Sequence, residues 1–149
     1  MSQYLTFLID NENFGIDISN VIEIIGIQKI TEMPQQPDYV KGVINLRGKI
    51  IPTIDVRTRF KKENIDYNER TCIIVVDNDR VLVGFIVDQV DEVLTIEPEQ
   101  ISLPPRFNDD FQGEYVKGIA RIDNEMIMLL ESNLLLSKDE IDDVKDILL

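Results

Sequence analysis

The side chains that most often carry catalysis are scarce in this sequence. It has no histidine, although histidine is the commonest general base near neutral pH and the commonest metal ligand. Its single cysteine excludes a metal site built from several thiolates. No phosphate-binding loop or dinucleotide-binding glycine fingerprint occurs. The 28 carboxylates form no specific pattern, so the sequence indicates a protein that is not an enzyme and binds no cofactor.

Charge and hydropathy restrict the binding partners. The chain has 15 basic and 28 acidic residues, a formal net charge of −13, so nucleic acid and anionic membrane surfaces would repel it at long range. No apolar run approaches the roughly 18 residues that span a bilayer, and the N-terminus lacks a signal-peptide pattern. We therefore expect a cytoplasmic protein that binds no nucleic acid, does not insert into a membrane and recognises other proteins.

One segment that could form a recognition surface occurs twice. Tyr-Val-Lys-Gly is found at residues 39–42 and again at 115–118, 76 residues later. Upstream, residues 14–24 align without gaps to residues 83–93, 69 positions later, and share a glycine, a valine and a glutamate. The different offsets require a longer loop in the second copy, which we place at 97–113. Repetition of this kind indicates two copies of one structural unit.

Short apolar runs with a period of two predict β-strands along most of the chain. The strand, turn, strand pattern of residues 3–18 returns at 71–87, where we place the turn at 77–79. The last strand of that pattern, residues 81–87, is apolar on both faces, which predicts burial on both faces. Cys72 lies in an apolar run, and we expect a buried, unreactive thiol.

Both copies carry a two-residue turn signal at the same position. Arg47-Gly48 follows the first Tyr-Val-Lys-Gly segment, and Asp123-Asn124 follows the second. Both dipeptides suit a β-hairpin whose turn residues take positive φ. Pro52 follows in the returning strand of the first copy. Because proline cannot donate to a sheet ladder, it predicts an edge strand or a bulge at that point.

Each repeat unit has about 60–70 residues, a size that buries only about 60% of the unfolded surface and is marginal alone. The two units should therefore pack on each other. We predict a mostly all-β fold in which two small closed β-barrels share a core. They form a single domain over residues 1–149, with repeat segments at about 14–60 and 83–136.

Helical signals are few. Asp55 is placed to cap a short helical turn over residues 56–60. Near the end of the chain, Ser137 and Glu140 have the spacing of a capping box. The apolar residues that follow share one helical face, so the sequence predicts a C-terminal amphipathic helix over about 138–148.

Four segments occur in the order and spacing of one family. They are FGIDISNVIEIIG at 14–26, YVKGVINLRGKIIPTIDVRTRF at 39–60, VGFIVDQVDEVLTI at 83–96 and YVKGI at 115–119. Through them the chain resembles the CheW-type coupling proteins of bacterial and archaeal chemotaxis. The resemblance implies two five-stranded barrels of SH3-like topology, in agreement with the repeat.

The resemblance also implies a function. Proteins of this family are non-enzymatic adaptors that bridge the cytoplasmic tip of chemoreceptors to the regulatory domain of a histidine kinase. This chain would then work in the cytoplasm, recruited to membrane-associated receptor arrays, without a cofactor. Two alternatives stay open: a CheW-like coupler in another two-component pathway, and a small β-barrel that binds a ligand.

Residues implied in protein binding follow from the same resemblance, position by position. They are Val21, Glu23, Gly26, Gly42, Asn45, Leu46, Arg47 and Gly48, with Val90 and Val93 as their counterparts in the second barrel. For the valines, the alternative is core packing, and for the glycines it is a backbone requirement. Glu23 and Arg47 could be simply solvated charges, but a guanidinium on a turn can reach a partner's carboxylate with two parallel hydrogen bonds.

Overall fold

The computed structural model describes residues 2–34, 36–78, 81–103, 115–137, 139–140 and 142–143. In this part of the chain, eleven strands form two sheets, and the helical elements up to Leu135 are single turns. The strands are β1 Ser2–Ile9, β2 Glu12–Asp17, β3 Val21–Gly26, β4 Val40–Leu46, β5 Lys49–Asp55, β6 Cys72–Asn78, β7 Val81–Val87, β8 Gln89–Ile96, β9 Ile101–Ser102, β10 Val116–Ile122 and β11 Glu125–Leu130. Helical turns are α1 Val56–Arg59, α2 Ser132–Leu135 and two 3-10 turns, Ile18–Asn20 and Pro98–Gln100. The predicted, mostly all-β fold is confirmed.

The two sheets draw their strands from both sequence repeats. The first sheet has the order β8-β1-β2-β11-β10-β9, and the second has the order β3-β6-β7-β5-β4. The hairpin β1–β2 therefore lies among strands of the second repeat, and the hairpin β6–β7 lies among strands of the first. Two parallel pairings join these hairpins to the strands of the other repeat: β2 pairs with β11, and β7 pairs with β5. Neither sheet corresponds to segment 14–60 or segment 83–136 alone.

Some elements of the two halves are separated by the same offset as the two Tyr-Val-Lys-Gly segments. Strand β10 begins 76 residues after β4, and α2 begins 76 residues after α1. The short pairing of β9 with β10 at Ser102 and Ile119 also has a counterpart, an isolated bridge between Thr31 and Val43. The two halves thus have the same local structure even though they contribute to both sheets.

Three apolar clusters make up the core. The interior of the second sheet contains Ile44, Ile51, Ile73, Val75 and Ile86. The interior of the first contains Tyr4, Ile96, Ala120, Ile127 and Leu129. A larger cluster lies between the sheets and includes Phe7, Phe14, Phe60 and Phe85. Strand β7 contributes Ile86 to one barrel interior and Phe85 to the shared cluster, so its two apolar faces are both buried, as its sequence predicts.

The two predicted hairpin turns have the expected backbone conformation. Arg47 and Gly48 have φ angles of 50° and 86°, and Asp123 and Asn124 have φ angles of 48° and 70°. Positive φ at both central residues is the geometry whose twist matches that of paired strands. In the first turn, the backbone N–H of Gly48 also donates to Oδ1 of Asn45 at 2.9 Å.

Of the two alternatives predicted at Pro52, the edge strand is wrong, but a bulge is present beside it, where the register of β4 to β5 shifts between Val40 and Gly42. Strand β5 lies between β4 and β7, so it is an interior strand of its sheet. Its parallel pairing with β7 begins only at Thr53, and Pro52 is paired across to Val43 of β4. Both backbone groups of Val43 bond to Thr31 on its other side. Proline is tolerated here because no ladder bond requires its missing N–H.

Two other local predictions also differ from the structure. The expected turn at 77–79 begins later, because Asn78 continues β6 and is 1% exposed. Its side-chain Nδ2 donates to the carbonyl oxygens of Ser132 at 3.3 Å and Leu136 at 3.2 Å, which ties the strand end to α2. Residue 79 lies outside the described residues. Cys72 is half-buried rather than buried.

The predicted C-terminal capping box is present. The N–H of Ser137 donates to Oε1 of Glu140 at 3.0 Å, and the N–H of Glu140 donates to Oγ of Ser137 at 3.2 Å. Residues 139–140 and 142–143 are helical. The other positions of the predicted helix over 138–148, and most of the predicted loop at 97–113, lie outside the described residues.

Asp55 caps α1 as predicted, and we expect its loss to destabilise the fold. Its Oδ1 accepts the N–H groups of Arg57 at 2.9 Å and Thr58 at 3.4 Å, and Oδ2 accepts the Tyr67 hydroxyl at 2.6 Å. Burial, and then the hydrogen bond to this carboxylate, raises the pKa of Tyr67. Asp55→Ala removes these acceptors and should lower the free energy of unfolding by about 2–3 kcal/mol.

Urea denaturation tests this prediction. The matched control is Asp66→Ala, which removes an exposed carboxylate next to Tyr67, between α1 and β6, and should change stability by less than about 0.5 kcal/mol. Equal midpoints for the two variants would show that the cap contributes nothing.

Candidate protein-binding site

The two edge strands of the second sheet meet through an ion pair. Strands β3 and β4 lie at opposite ends of the strand order, yet Glu23 of β3 pairs with Arg47 in the turn after β4. The Nη1 atom of Arg47 donates to Oε2 of Glu23 at 3.3 Å, and Nη2 donates to Oε1. The bridge between Thr31 and Val43 joins the connection after β3 to β4 as well. The sheet therefore curls into a barrel, and Glu23 and Arg47 lie where its edges approach.

This ion pair lies at the protein surface. The side chain of Arg47 is 70% exposed, and that of Glu23 is 26% exposed. The hydrogen bonds from Arg47 lower the pKa of Glu23, and the same carboxylate raises the pKa of Arg47. Because exposed ion pairs contribute little to stability, the main effect of Glu23 is to fix the direction of the guanidinium. Much of the Arg47 side chain remains available to a partner.

Apolar side chains surround the pair. A pocket beside it is lined by Ile22, Glu23, Leu46, Arg47, Lys49, Ile51, Val75 and Leu82. We call this the seam surface. Of the lining residues, Ile22 is 54% exposed, whereas Ile51 and Val75 are buried. Ile24 on the same strand and Ile50 on β5 are also exposed but do not line the pocket. An exposed arginine beside an exposed aliphatic side chain is a composition typical of protein interfaces.

The exposed isoleucines were missed by the sequence analysis, although a signal was available. Strand β3 reads Val-Ile-Glu-Ile-Ile-Gly, with apolar residues on both faces. An edge strand with two apolar faces leaves one of them facing solvent unless another element covers it. In addition, Ile22 lies at a β-bulge, where the register to β6 shifts between Val21 and Glu23. A bulge changes the direction in which a side chain points.

The first eight predicted residues lie in β3, β4 and the following turn, but they differ in what they contact. Val21 is half-buried against the shared core, and Leu46 is half-buried against the barrel interior. Asn45 is exposed and accepts the hydrogen bond that orders the turn. Glu23 and Arg47 form the ion pair.

The three predicted glycines differ even more. A Cβ on Gly42 would lie 2.2 Å from the carbonyl oxygen of Thr31, so this position requires glycine for backbone packing. Gly48 has a φ of 86° and open space around it, so its turn conformation is the requirement. Gly26 is exposed at the end of β3, and a Cβ there would meet nothing within 4 Å.

Val90 and Val93 lie elsewhere. Both are on β8, an edge strand of the other sheet, where Val90 packs against the shared core and Val93 is 47% exposed. The structure does not bring them together with Arg47. In the sequence repeat, the positions equivalent to Glu23 and Arg47 are Glu92 and Asp123. Two acidic side chains cannot form an ion pair, so the counterpart surface has a different charge.

Among the described residues, no group of three or more histidine, cysteine, aspartate or glutamate side chains could hold a metal ion. Both barrel interiors are filled by buried apolar side chains. Within the same described part of the chain, no helix is long and apolar enough to cross a membrane.

A family model for the CheW-like domain matches residues 3–140. The chain belongs to the CheW-like domain family. This confirms the resemblance inferred from the four sequence segments.

Individual CheW-like proteins agree with this assignment. Chemotaxis protein CheW of Klebsiella aerogenes is 39% identical over 138 residues, which cover 93% of this chain and 83% of that protein. Protein FrzA of Myxococcus xanthus is 26% identical over 136 residues, covering 90% and 84% of the two chains. The crystal structure of the scaffolding protein TtCheW from Thermoanaerobacter tengcongensis matches with a TM-score of 0.85 and 34% identity, over 93% of this chain and 94% of that one. These similarities support the predicted assignment to chemotaxis signalling.

Proposed function

We propose that this CheW-like protein is a non-enzymatic adaptor that holds the cytoplasmic tip of a chemoreceptor and the regulatory domain of a histidine kinase together. The observation that carries the proposal is the seam surface, where Glu23 directs an exposed Arg47 guanidinium between apolar side chains. The relatives named for chemotaxis and scaffolding support the same function. The protein would act in the cytoplasm, where partners recruit it to receptor arrays.

An adaptor needs two surfaces that do not compete. The seam surface combines Arg47 and Lys49 with a single acidic residue, whereas the equivalent positions of the other barrel include Glu92, Asp123 and Glu125. Their different charge favours different partners, since complementary charge selects partners and disfavours wrong ones. The many copies in an array would add avidity to modest individual affinities.

Isothermal titration calorimetry with purified fragments tests whether two partners bind at once. We expect the kinase regulatory domain and the receptor tip each to bind the free protein. Either should also bind the preformed complex with the other, with a similar Kd. Mutually exclusive binding, or no binding of either fragment, would contradict an adaptor with two surfaces.

A second candidate is a CheW-like coupler in a different two-component pathway. The resemblance is to the CheW-like domain, whose family model names no pathway. The same titrations, made with the regulatory domain of a histidine kinase from another pathway of the source organism, separate the candidates by which kinase binds more tightly. A ligand-binding barrel is disfavoured because apolar side chains fill both barrel interiors.

A further inference from the structure

Among the described strands, the chain passes from one sheet to the other twice, between β2 and β3 and between β7 and β8. The first crossing runs through the 3-10 turn Ile18–Asn20, and the second is the single residue Asp88. Ser19 in the first crossing and Asp88 are 69 positions apart, which is the offset between these parts of the two repeats. Residues that join two packed bodies in this way are where a hinge between them bends.

The two crossings are held differently. At the first, the N–H and the hydroxyl of Ser19 both donate to Oδ1 of Asp17, at 2.9 and 2.8 Å, and these bonds stay within the turn. At the second, the N–H of Asp88 donates to the carbonyl oxygen of Leu8 in β1 at 3.2 Å. Oδ2 of Asp88 accepts the N–H of Asp10 at 2.8 Å. Asp88 is therefore bonded to the hairpin β1–β2 of the first sheet.

Arg57 holds the same carboxylate from the side of the second sheet, because α1 directly follows β5. Its Nε donates to Oδ1 of Asp88 at 2.7 Å, and its Nη2 donates to Oδ2 at 2.8 Å. Nη1 donates to the carbonyl oxygen of Glu63 at 2.8 Å. The side chains of Arg57 and Asp88 are only 11% and 20% exposed. Two parallel bonds between a guanidinium and a carboxylate fix their relative direction.

Further charges join α1 to the turn between β1 and β2. Nη2 of Arg57 is 3.5 Å from Oδ1 of Asp10. Nζ of Lys62, just after α1, is 3.6 Å from Oδ2 of Asp10 and 3.1 Å from Oε1 of Glu12. The hydrogen bonds to Asp88 raise the pKa of Arg57 above its ordinary value. Two cations next to the second sheet thus face three carboxylates next to the first.

The pair of Arg57 and Asp88 has no charged equivalent in the repeat. The residue 76 positions after Arg57 is Asn133, and the residue 69 positions before Asp88 is Ser19. One crossing therefore carries an ion pair and the other does not. Because both charges are largely withdrawn from solvent, each needs the other, and loss of one partner leaves an uncompensated charge.

The shared core and the ion pair restrain the barrels in different ways. The apolar cluster between the sheets includes Phe7, Phe14 and Phe85. Apolar burial is non-directional, so this cluster opposes separation of the sheets more strongly than a small rotation of one on the other. The bonds between Arg57 and Asp88 are directional. They therefore restrain rotation at the crossing.

We propose that Arg57 and Asp88 form a clamp at this hinge, which sets the orientation of one barrel relative to the other. The seam surface lies on one barrel, and the acidic residues Glu92, Asp123 and Glu125 belong to the other, so the clamp also sets the angle between these surfaces. That consequence for partners rests on the proposed function, whereas the clamp itself does not. Its tests therefore use no partner.

Double electron–electron resonance between spin labels on the two barrels tests the clamp in the full chain. The labels are attached through Lys49→Cys in β5 and Glu125→Cys in β11, both exposed positions, after Cys72→Ser has removed the native thiol. In Asp88→Asn, one carboxylate oxygen becomes an NH2 group that cannot accept from Arg57. We expect the distribution of distances between the labels to become about twofold wider or more.

The matched control is Asp91→Asn, which removes one negative charge from an exposed position of β8 and should leave the distribution unchanged. Hydrogen exchange gives a second readout on the same two variants. In Asp88→Asn, the amides of residues 10 and 88 should exchange about tenfold faster or more, with β6 unchanged. In Asp91→Asn, their exchange should match that of the unmodified protein.

Arg57→Lys tests the geometry of the clamp separately from its charge. Lysine keeps the positive charge but cannot form two parallel bonds to one carboxylate, so this variant should fold and also widen the distribution. Arg70→Lys, at an exposed position, is its control and should change nothing.

Three results would overturn the proposal. The first is an unchanged distance distribution in Asp88→Asn or in Arg57→Lys. The second is uniformly faster exchange in Asp88→Asn that includes β6. The third is loss of the folded state in Asp88→Asn, because the pair would then be required for the global fold and not for the orientation of the barrels.

Discussion

Gly42→Ala is expected to lower the free energy of unfolding by about 3–5 kcal/mol, because large losses of this kind occur when a substitution forces the backbone to move. The new Cβ would lie 2.2 Å from the carbonyl oxygen of Thr31 and 2.8 Å from its carbonyl carbon. Both atoms are backbone and cannot rotate away. The strain would act on the bridge in which Thr31 and Val43 exchange hydrogen bonds of 2.9 and 2.8 Å.

Gly26→Ala is the matched control, since both glycines belong to the predicted binding set. The control position is exposed and has open space, so its stability should change by less than about 0.5 kcal/mol. Gly118→Ala should fall between them, because its Cβ would meet the movable side chain of Ile101 at 2.9 Å. Urea denaturation measures all three. If Gly42→Ala is no less stable than Gly26→Ala, the close approach to Thr31 is not a constraint.

Arg47→Glu is expected to keep the fold and to weaken the binding of one partner by about tenfold or more. The substitution replaces a forked donor by an acidic group and places it beside Glu23, so both attraction to a partner carboxylate and the internal pair are lost. Stability should change little, because the Arg47 side chain is 70% exposed. Calorimetric titration with the two partner fragments, together with urea denaturation, measures both effects.

Two further variants show which role of Arg47 matters. Exchanging the pair, Glu23→Arg with Arg47→Glu, restores an internal ion pair but leaves no guanidinium on the turn. If Arg47 contacts the partner, binding stays weak in the exchanged protein. Asp123→Arg, at the equivalent turn of the other hairpin, should leave binding of that partner unchanged. Normal binding of both partners by Arg47→Glu would contradict the assignment of the seam surface.

The repeat and its hairpins could be predicted because their signals are local. A turn with positive φ at two residues, such as Arg47-Gly48 or Asp123-Asn124, is encoded within a few positions. The cap at Asp55 is equally local. The placement of each hairpin among strands of the other repeat depends instead on parallel pairings between strands distant in sequence, such as β2 with β11. No residue in either strand indicates which strand it will pair with.

In the candidate site, too, local features could be predicted from the sequence and long-range contacts could not. The resemblance identified Glu23 and Arg47 separately, but their pairing depends on closure of the barrel, which brings together residues 24 positions apart. The capping box at Glu140 could be predicted from four residues, whereas its bond to Arg59 spans 81 positions. Val90 and Val93 were predicted as counterparts in the second barrel, and they lie on a strand of the other sheet.

Reconstituted kinase activity tests the coupling function most directly. The histidine kinase and receptor fragments are assayed for phosphorylation with and without this protein, over a range of receptor stimulus. We predict that receptor state changes kinase activity only when the protein is present, and that Arg47→Glu reduces this control. Equal receptor control of the kinase with and without the protein would contradict the account.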